Sequence, residues 1–359
     1  MAPIRILVAD SSAVARREIS QMLGTDPDLE VVAFAPSGRL ALEQVEQLRP
    51  EVMVLELMLP DMKGLEVLKA VRQLAPRMPV LIFSSLTEST GNLTLDALAL
   101  GASDYITKPT AAGGVPFLEQ ARETLITKIK ELHARIQPEP PKMTPVRKRH
   151  ELAKGPVRQP RIGVVVVGAS TGGPNMLAEV IAALPADFPV PMVITQHMPA
   201  GFTKLFADRL DTLSPLRIRE AVAGEHLRAG QVWVAPGDYH LALTREGPVV
   251  KLLTHRGPLE NSCRPAVDVL FRSAAQAYGA GVLAVVMTGM GQDGLKGCQA
   301  VSQAGGRILV QDPDTCIVGS MPQAVLQAGL AHQVVHVKNL GPEIVRRVTQ
   351  ALSPQPLAI

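Results

Sequence analysis

A short apolar run followed by a segment of helical hydrophobic periodicity is the repeating pattern of this chain, and it limits the choice of fold more than any other feature. In the first part, five runs predict β-strands, at residues 4–9, 31–35, 52–57, 80–83 and 104–107. Amphipathic helices are predicted after them, at 13–23, 39–48, 65–74, 92–100 and 115–132. Apolar strands that alternate with helices are typical of a parallel sheet covered on both faces.

The second part of the chain restarts the same alternation. Strands are predicted at 162–167, 192–195, 232–235, 283–287, 307–310 and 333–337, and helices at 176–184, 202–213, 266–278 and 340–352. The stretch 224–258 is interrupted by Gly and Pro and predicts a hairpin insertion. We therefore expect a second doubly wound α/β domain with a parallel sheet.

Residues 127–161 separate the two parts. They contain ten Lys or Arg against three Asp or Glu, a net charge of +7, and are rich in Pro. This composition predicts an interdomain linker that includes the end of the last helix of the first domain. A nucleic-acid-binding arm is the alternative for such a basic run. The linker is favoured because globular patterns resume on both sides, which gives domains at 1–126 and 162–359.

Composition excludes several classes of protein. Aromatic residues make up 3% of the chain, too few for the stacked surfaces that bind single-stranded nucleic acid. The apolar runs fall far short of the ~18 residues of a membrane span, and the N-terminus lacks a signal-peptide cleavage site. The three cysteines are far apart and odd in number, as expected of free thiols in a reducing compartment. We expect a cytoplasmic protein with no nucleic-acid partner and no membrane insertion.

Polar residues stand at the carboxyl ends of four of the first five predicted strands, where parallel sheets bind their ligands. They are Asp10, Ser11, Glu56, Ser84 and Lys108. This set resembles the receiver domain of two-component response regulators, a flavodoxin-like (βα)5 fold, over about the first 125 residues. The resemblance implies an acidic pair that binds Mg²⁺, an aspartate that accepts a phosphoryl group, and a hydroxyl and a Lys that contact the phosphate.

Two positions depart from the receiver pattern. Ser11 replaces the second acidic residue and Glu56 the phosphoacceptor aspartate, whereas Asp10, Ser84 and Lys108 fit. Asp10 alone would make at most a weak Mg²⁺ site, because a hard cation needs several oxygen ligands. We expect Glu56 to pair with Lys108 as an ordinary carboxylate, and the receiver not to be phosphorylated.

A candidate nucleophile opens the second domain. Residues 168–172 read Gly-Ala-Ser-Thr-Gly after a predicted strand, the G-x-S-x-G form of a serine on a sharp strand-to-helix turn. Such a turn exposes the hydroxyl of Ser170 and places backbone N–H groups where they can stabilise an oxyanion. A turn that only caps the helix, or a small anion-binding loop, would have the same sequence.

His197 and Asp293 complete a candidate catalytic set. His197 follows the predicted strand 192–195, and Asp293 lies in a Gly-rich segment after the strand 283–287. Because parallel strands bring their carboxyl ends to one edge, Ser170, His197 and Asp293 are predicted to meet as nucleophile, base and orienting carboxylate.

The order of these residues along the chain differs from that of an α/β-hydrolase, in which the histidine comes last. A hydrolase of that type would need His332 or His336 as its base. His197 is favoured because it occupies a strand-end loop of its own.

Several motifs in one order resemble the chemotaxis methylesterase (CheB) family across nearly the whole chain. They are Gly-Ala-Ser-Thr-Gly-Gly-Pro at 168–174, Gln-His-Met-Pro at 196–199, Ala-Pro-Gly-Asp at 235–238, Arg-Pro-Ala-Val-Asp-Val-Leu-Phe at 264–271 and Thr-Gly-Met-Gly-Gln-Asp-Gly at 288–294. The resemblance implies that Ser170 is the nucleophile, His197 the general base and acid, and Asp293 the carboxylate that orients it. Thr171, Gly172 and Met290 would form the oxyanion and substrate site.

The same resemblance implies an activity and its partners. The family hydrolyses γ-glutamyl methyl esters on methyl-accepting chemoreceptors, releasing methanol, and deamidates certain receptor glutamines, with no catalytic cofactor. Its receiver shields the active site until a histidine kinase phosphorylates it. Cys263 stands where the family often has His, a change that affects substrate contacts rather than the triad.

Two other functions fit the residues. A serine esterase for small soluble substrates would have a deep apolar pocket beside Ser170, whereas a helical protein substrate needs an open cleft. A regulatory scaffold with a vestigial triad is the non-enzymatic alternative, and the intact set of Ser170, His197 and Asp293 argues against it.

Overall fold

Two parallel sheets, one in each half of the chain, organise the fold. The computed structural model describes residues 2–85, 87–108, 114–135 and 161–350. Most of the predicted linker, residues 136–160, lies outside the described residues, as does the stretch 351–359. In the part of the chain that is described, no helix is both long and apolar enough to cross a lipid bilayer.

The first sheet has five parallel strands in the order β2-β1-β3-β4-β5. The strands are β1 (Ile4–Ala9), β2 (Leu29–Ala35), β3 (Val52–Leu55), β4 (Val80–Ser84) and β5 (Asp104–Thr107). The helices are α1 (Ala13–Leu23), α2 (Gly38–Leu48), α3 (Gly64–Leu74), α4 (Glu88–Ala99) and α5 (Gly114–Ala134). The predicted alternation of strands and helices is confirmed, and α5 continues past residue 126.

The second sheet has seven parallel strands in the order β14-β13-β12-β6-β7-β9-β8. The strands are β6 (Val164–Ala169), β7 (Met192–Gln196), β8 (Arg217–Glu220), β9 (Gln231–Val234), β12 (Val282–Val286), β13 (Arg307–Gln311) and β14 (Gln333–Val335). The helices are α6 (Gly173–Ala182), α7 (Phe202–Leu213), α8 (Val267–Tyr278), α9 (Leu295–Gln303), α10 (Ser320–Gln327) and α11 (Val337–Gln350). The predicted hairpin is present as antiparallel β10 (His240–Glu246) and β11 (Val249–His255).

Burial explains why the central strands are so apolar. Every residue of β6 and of β12 is buried, because helices cover both faces of the sheet. Strand β8 is the opposite case: it lies at the sheet edge, and only Ile218 of its four residues is buried. Because its composition is polar, the hydrophobic pattern of the sequence does not predict this strand. The pattern also does not predict the short helices α9 and α10.

The two domains pack against each other through β5, α4 and α5 of the first domain. The ring of Tyr105 in β5 stacks on that of Phe202 in α7, with the centroids 5.1 Å apart and the planes within 4°. Polar contacts across the boundary join Asn175 to Leu98, Arg209 to Asp96, and Arg135 to Pro313 and Asp314. The first domain therefore covers one side of the second.

Candidate active site

Three neighbouring strands bring Ser170, His197 and Asp293 to one edge of the second sheet. Ser170 directly follows β6, His197 directly follows β7, and Asp293 lies in the loop after β12. In the order β12-β6-β7 these strands are adjacent. Two backbone hydrogen bonds connect the ends of these strands. The N–H of His197 donates to the carbonyl of Ala169 (3.2 Å), and the N–H of Ser170 donates to the carbonyl of Thr288 (3.0 Å).

The turn at Ser170 depends on glycine. Gly172, the N-terminal cap of α6, has φ of +78°, and a Cβ there would lie 2.4 Å from Cβ of Ile317. The side-chain amide of Gln196 donates to the carbonyl of Ser170 at 2.8 Å. The turn thus leaves Ser170 partly exposed at the start of a helix.

The candidate oxyanion residues surround this turn. Thr171 is buried, and its carbonyl accepts a hydrogen bond of 2.8 Å from the hydroxyl of Thr288. The N–H of Gly173, the first residue of α6, donates to the carbonyl of Ser170 at 2.7 Å, and Pro174 has no N–H. The backbone N–H groups of Thr171 and Gly172, just before the helix, are therefore the candidates for holding a substrate oxygen. Met290 packs with Ile317 against an apolar cluster that includes Leu125 of α5.

Asp293 is buried and heavily hydrogen-bonded. Its Oδ2 lies 2.7 Å from Nε2 of His197 and accepts from the N–H of Val267 at 2.7 Å, while its Oδ1 accepts from Asn261 Nδ2 at 2.9 Å. Burial raises the pKa of this carboxyl, but the hydrogen bond to His197 and those from the backbone outweigh it and hold the pKa below its usual value. Asp293 pairs with Nε2 of His197, so Nδ1 is the ring nitrogen that can act as a base.

Cys263 occupies the other side of the imidazole. Its Sγ lies 3.5 Å from Nδ1 of His197, and among the described residues no hydrogen bond involves the hydroxyl of Ser170. Burial lowers the pKa of His197, yet the charge of Cys263 and the hydrogen bond to Asp293 raise it to about 10. The thiol of Cys263 and the carboxylate of Asp293 thus lie on opposite sides of the same imidazole.

The sequence analysis assigns no role to several polar residues that hold the site together. Gln196 holds the carbonyl of Ser170, Thr288 holds that of Thr171, and Asn261 holds Asp293. Gln196 and Thr288 lie beside predicted strand ends, and this proximity was the signal that could have identified them. Asn261 lies in a tight turn at φ of +51°, 32 residues before Asp293 in the chain, and nothing in the sequence marks it.

The two alternative histidines lie elsewhere. His332 precedes β14, and its Nδ1 accepts from the N–H of Ile308 near the start of β13, at the opposite edge of the sheet from Ser170. His336 follows β14, the outermost strand, three positions from β6. Neither can serve Ser170 as a base.

The residues at the receiver strand ends form a closed ion cluster. Lys108 Nζ lies 2.6 Å from Oδ2 of Asp10 and also contacts Oε2 of Glu56. The other oxygen of Glu56 accepts from the N–H groups of Leu57 and Met58, at 2.7 and 3.1 Å. The sequence pattern predicts that this strand ends at residue 57, but β3 ends at Leu55. The shorter strand lets the side chain of Glu56 turn into the ion cluster.

These residues do not fit a Mg²⁺ site. Burial lowers the pKa of Lys108, but hydrogen bonds to Asp10 and Glu56 raise it above its usual value, so the charged ammonium is paired with both carboxylates. Ser11 supplies no third charge, and the hydroxyl of Ser84 is buried without a partner among the described residues. A hard divalent cation would find too few free oxygen ligands.

A cavity of about 280 Å³ lies beside the candidate triad, between the two domains. His197, Cys263 and Arg264 line it on the catalytic side, and Thr124 and Lys128 of α5 line it on the receiver side. Its lining mixes polar and apolar side chains and it is open rather than enclosed, which differs from the deep apolar pocket expected of an esterase for small substrates. The receiver domain stands where a large substrate would approach.

Known proteins match both halves of the chain. The family model described as CheB methylesterase matches residues 165–344, and that of the response regulator receiver domain matches residues 6–115. A protein-glutamate methylesterase/protein-glutamine glutaminase of Nocardioides sp. is 45% identical over 98% of this chain and 97% of its own length. The protein of the same name from Thermotoga maritima is 38% identical over 96% of this chain and 98% of its own length.

A solved structure shows the same fold in the second half. The crystal structure of the Thermotoga maritima CheB methylesterase catalytic domain is 41% identical, has a TM-score of 0.51, and covers 52% of this chain and 98% of its own. Its coverage corresponds to one of the two domains described above. The matched family models and the nearly full-length relatives show that this chain belongs to the CheB methylesterase family, with a response regulator receiver domain ahead of the catalytic domain.

Proposed function

We propose that this chain is a protein-glutamate methylesterase that hydrolyses γ-glutamyl methyl esters on methyl-accepting chemoreceptors, releasing methanol. One observation carries the proposal: the hydrogen bond of 2.7 Å between His197 and Asp293, beside a partly exposed Ser170 on a strand-to-helix turn. The names of the full-length relatives support the substrate class. A vestigial scaffold would have no reason to keep all three groups together.

The reaction proceeds through an acyl-enzyme. Nδ1 of His197 removes the proton of Ser170 as its hydroxyl attacks the ester carbonyl, and the imidazolium is stabilised by Asp293. The backbone N–H groups of Thr171 and Gly172, just before α6, hold the oxyanion, with Met290 at the rim. His197 then protonates the leaving methoxide, and water attacks the γ-glutamyl-Ser170 ester by the same route in reverse. Three side chains supply the whole reaction, so no cofactor is needed.

Deamidation of glutamine uses the same steps. The side-chain amide presents the same γ-carbonyl to Ser170, and ammonia replaces methanol as the leaving group that His197 protonates. One acyl-enzyme therefore serves a methyl ester and an amide of the same side chain.

The surroundings of the site support a protein substrate and a cytoplasmic signalling role. The cavity beside His197 is open, has a mixed polar and apolar lining and continues between two domains, so a receptor helix reaches Ser170 only if the receiver shifts. A histidine kinase of the chemotaxis type is the proposed partner of the receiver, acting by docking since the Glu56 cluster lacks the usual phosphoacceptor. Cytoplasmic localisation suits the three free cysteines.

Methanol release from a chemoreceptor fragment that carries γ-glutamyl methyl esters tests the proposal. The wild-type chain should release methanol, and Ser170→Ala should not. A short-chain nitrophenyl ester is the matched small substrate. Rapid turnover of that ester with no methanol from the receptor fragment would instead favour an esterase for small soluble substrates.

A further inference from the structure

The base of the triad has a thiol as its second neighbour. Cys263 Sγ lies 3.5 Å from Nδ1 of His197, whose Nε2 is held by Asp293 at 2.7 Å. A thiol, an imidazole and an acceptor in this series form the arrangement that activates the nucleophile of cysteine hydrolases. Cys263 therefore lies beside Nδ1, the same nitrogen that accepts the proton of Ser170 in the proposed reaction.

The position of Cys263 is imposed by its turn. Its N–H donates to the carbonyl of Glu260 at 2.9 Å, and its carbonyl accepts from the N–H of Glu260 at 3.2 Å. Asn261, inside this turn, donates to Asp293 at 2.9 Å and to Asp268 at 3.0 Å. The turn that carries the thiol is thus anchored to the carboxylate that orients the imidazole, and the pair Cys263–His197 is a built feature of the site.

The other two cysteines provide an internal contrast. Cys298 and Cys316 are fully buried. Burial raises the pKa of the Cys298 thiol far above its usual value and that of Cys316 to about 12. Cys263 is partly exposed and lines the cavity between the domains, together with His197. A small reagent can reach Cys263 alone among the three.

We propose that Cys263 is a modification site, where His197 activates the thiol toward peroxides and other soft electrophiles, and where oxidation reversibly switches off the esterase. The loss of esterase activity rests on the proposed function, whereas the reactivity of the thiol does not.

Hydrogen peroxide oxidises the thiol of Cys263 to a sulfenic acid. His197 takes the proton of Cys263, and the thiolate attacks one oxygen of hydrogen peroxide; an S–O bond forms and the O–O bond breaks. The departing hydroxide takes the proton from the imidazolium and leaves as water. Sulfur loses two electrons, which reduce the peroxide. The resulting sulfenic acid stays beside Nδ1 and keeps it from Ser170. A dithiol reverses the step by forming a mixed disulfide with loss of water and then reducing it.

Site mapping tests the reactivity without any esterase assay. The reduced full chain is treated with limiting iodoacetamide at pH 7.5, and in parallel with hydrogen peroxide followed by a sulfenic-acid probe, and peptide mass spectrometry measures each cysteine. Cys263 should react at least tenfold faster than Cys298 and Cys316. His197→Gln, which keeps a side chain of similar size, should slow Cys263 at least tenfold, whereas Ser170→Ala should leave its rate within twofold. Equal rates for the three cysteines, or no effect of His197→Gln, would overturn the proposal.

Methanol release tests the switch. Peroxide should lower the rate of the wild-type chain at least tenfold, and dithiothreitol should restore it. Cys263→Ala is compared only with its own untreated sample and should keep most of its activity. Inactivation that persists in Cys263→Ala overturns the switch. If the untreated wild-type chain releases no methanol, the proposed function fails, and the mapping result still decides the reactivity of Cys263.

Discussion

At the scale of single residues, the bond between His197 and Asp293 determines which variants lose activity. Ser170→Ala and His197→Ala should each lower methanol release by a factor on the order of 10⁶, since triad members act as a unit, and the double variant should be little worse than either. Asp293→Asn should be milder but still severe, because the amide favours the wrong imidazole tautomer. Initial rates on the methylated receptor fragment measure all four. A tenth of the activity left in Ser170→Ala would require a mechanism without the serine nucleophile.

The pKa of His197 determines how the rate depends on pH. Burial lowers its pKa, but Cys263 and Asp293 raise it to about 10. Catalysis needs the neutral imidazole, so kcat/KM should rise with pH far beyond the ordinary histidine value near 6.5. Cys263→Ala removes this neighbour and should move the midpoint down by at least one pH unit. Rates are corrected with Ser170→Ala for hydrolysis by hydroxide. A wild-type midpoint near 6.5 would contradict this account.

At the scale of elements, the strand ends of the receiver decide its response to phosphodonors. Glu56 is one methylene longer than aspartate, which moves the acceptor oxygen by ~1.5 Å, and Lys108 already forms ion pairs with both Glu56 and Asp10. Acetyl phosphate with Mg²⁺ should leave no base-labile phosphoryl group on the wild-type chain, because phosphoryl transfer depends on positioning. The double variant Ser11→Asp with Glu56→Asp should recover Mg²⁺-dependent labelling. Labelling of the wild-type chain, or a severalfold gain in methanol release with phosphodonor, would show that Glu56 is no obstacle.

Sequence patterns predict some elements better than others, and the reason is burial. β6 and β12 are buried on both faces, so their composition alone identifies them. The edge strand β8 and the short helices α9 and α10 bury few residues, and neighbouring elements rather than their own sequence hold them in place. Strand order is also absent from the local pattern, although it is what places β12 beside β6.

At the scale of the whole molecule, the receiver lies beside the catalytic site. Its α5 forms one wall of the cavity beside His197, and Tyr105 of β5 stacks on Phe202. A segment of residues 158–359 should therefore fold, since it has its own sheet and triad, and should release methanol faster than the full chain. Tyr105→Ala in the full chain should move the rate toward that of the segment. The small nitrophenyl ester serves as the control and should show a smaller difference.

Two outcomes would contradict this prediction. A segment that is folded but inactive on a receptor that the full chain demethylates would mean that the receiver supplies part of the substrate surface. Equal rates for the segment and the full chain would mean that the contact between Tyr105 and Phe202 does not limit access.

The sequence by itself determined two α/β domains and the three residues at the strand ends, because periodicity and the position of polar residues after apolar strands are local properties. Only the tertiary structure decided that Asp293 holds Nε2 of His197 and that Cys263 meets Nδ1. It also decided that Lys108 joins Asp10 to Glu56 and that α5 walls the cavity. These contacts join residues far apart in the chain, and their geometry follows from strand order, turn conformation and domain packing, none of which a local sequence pattern contains.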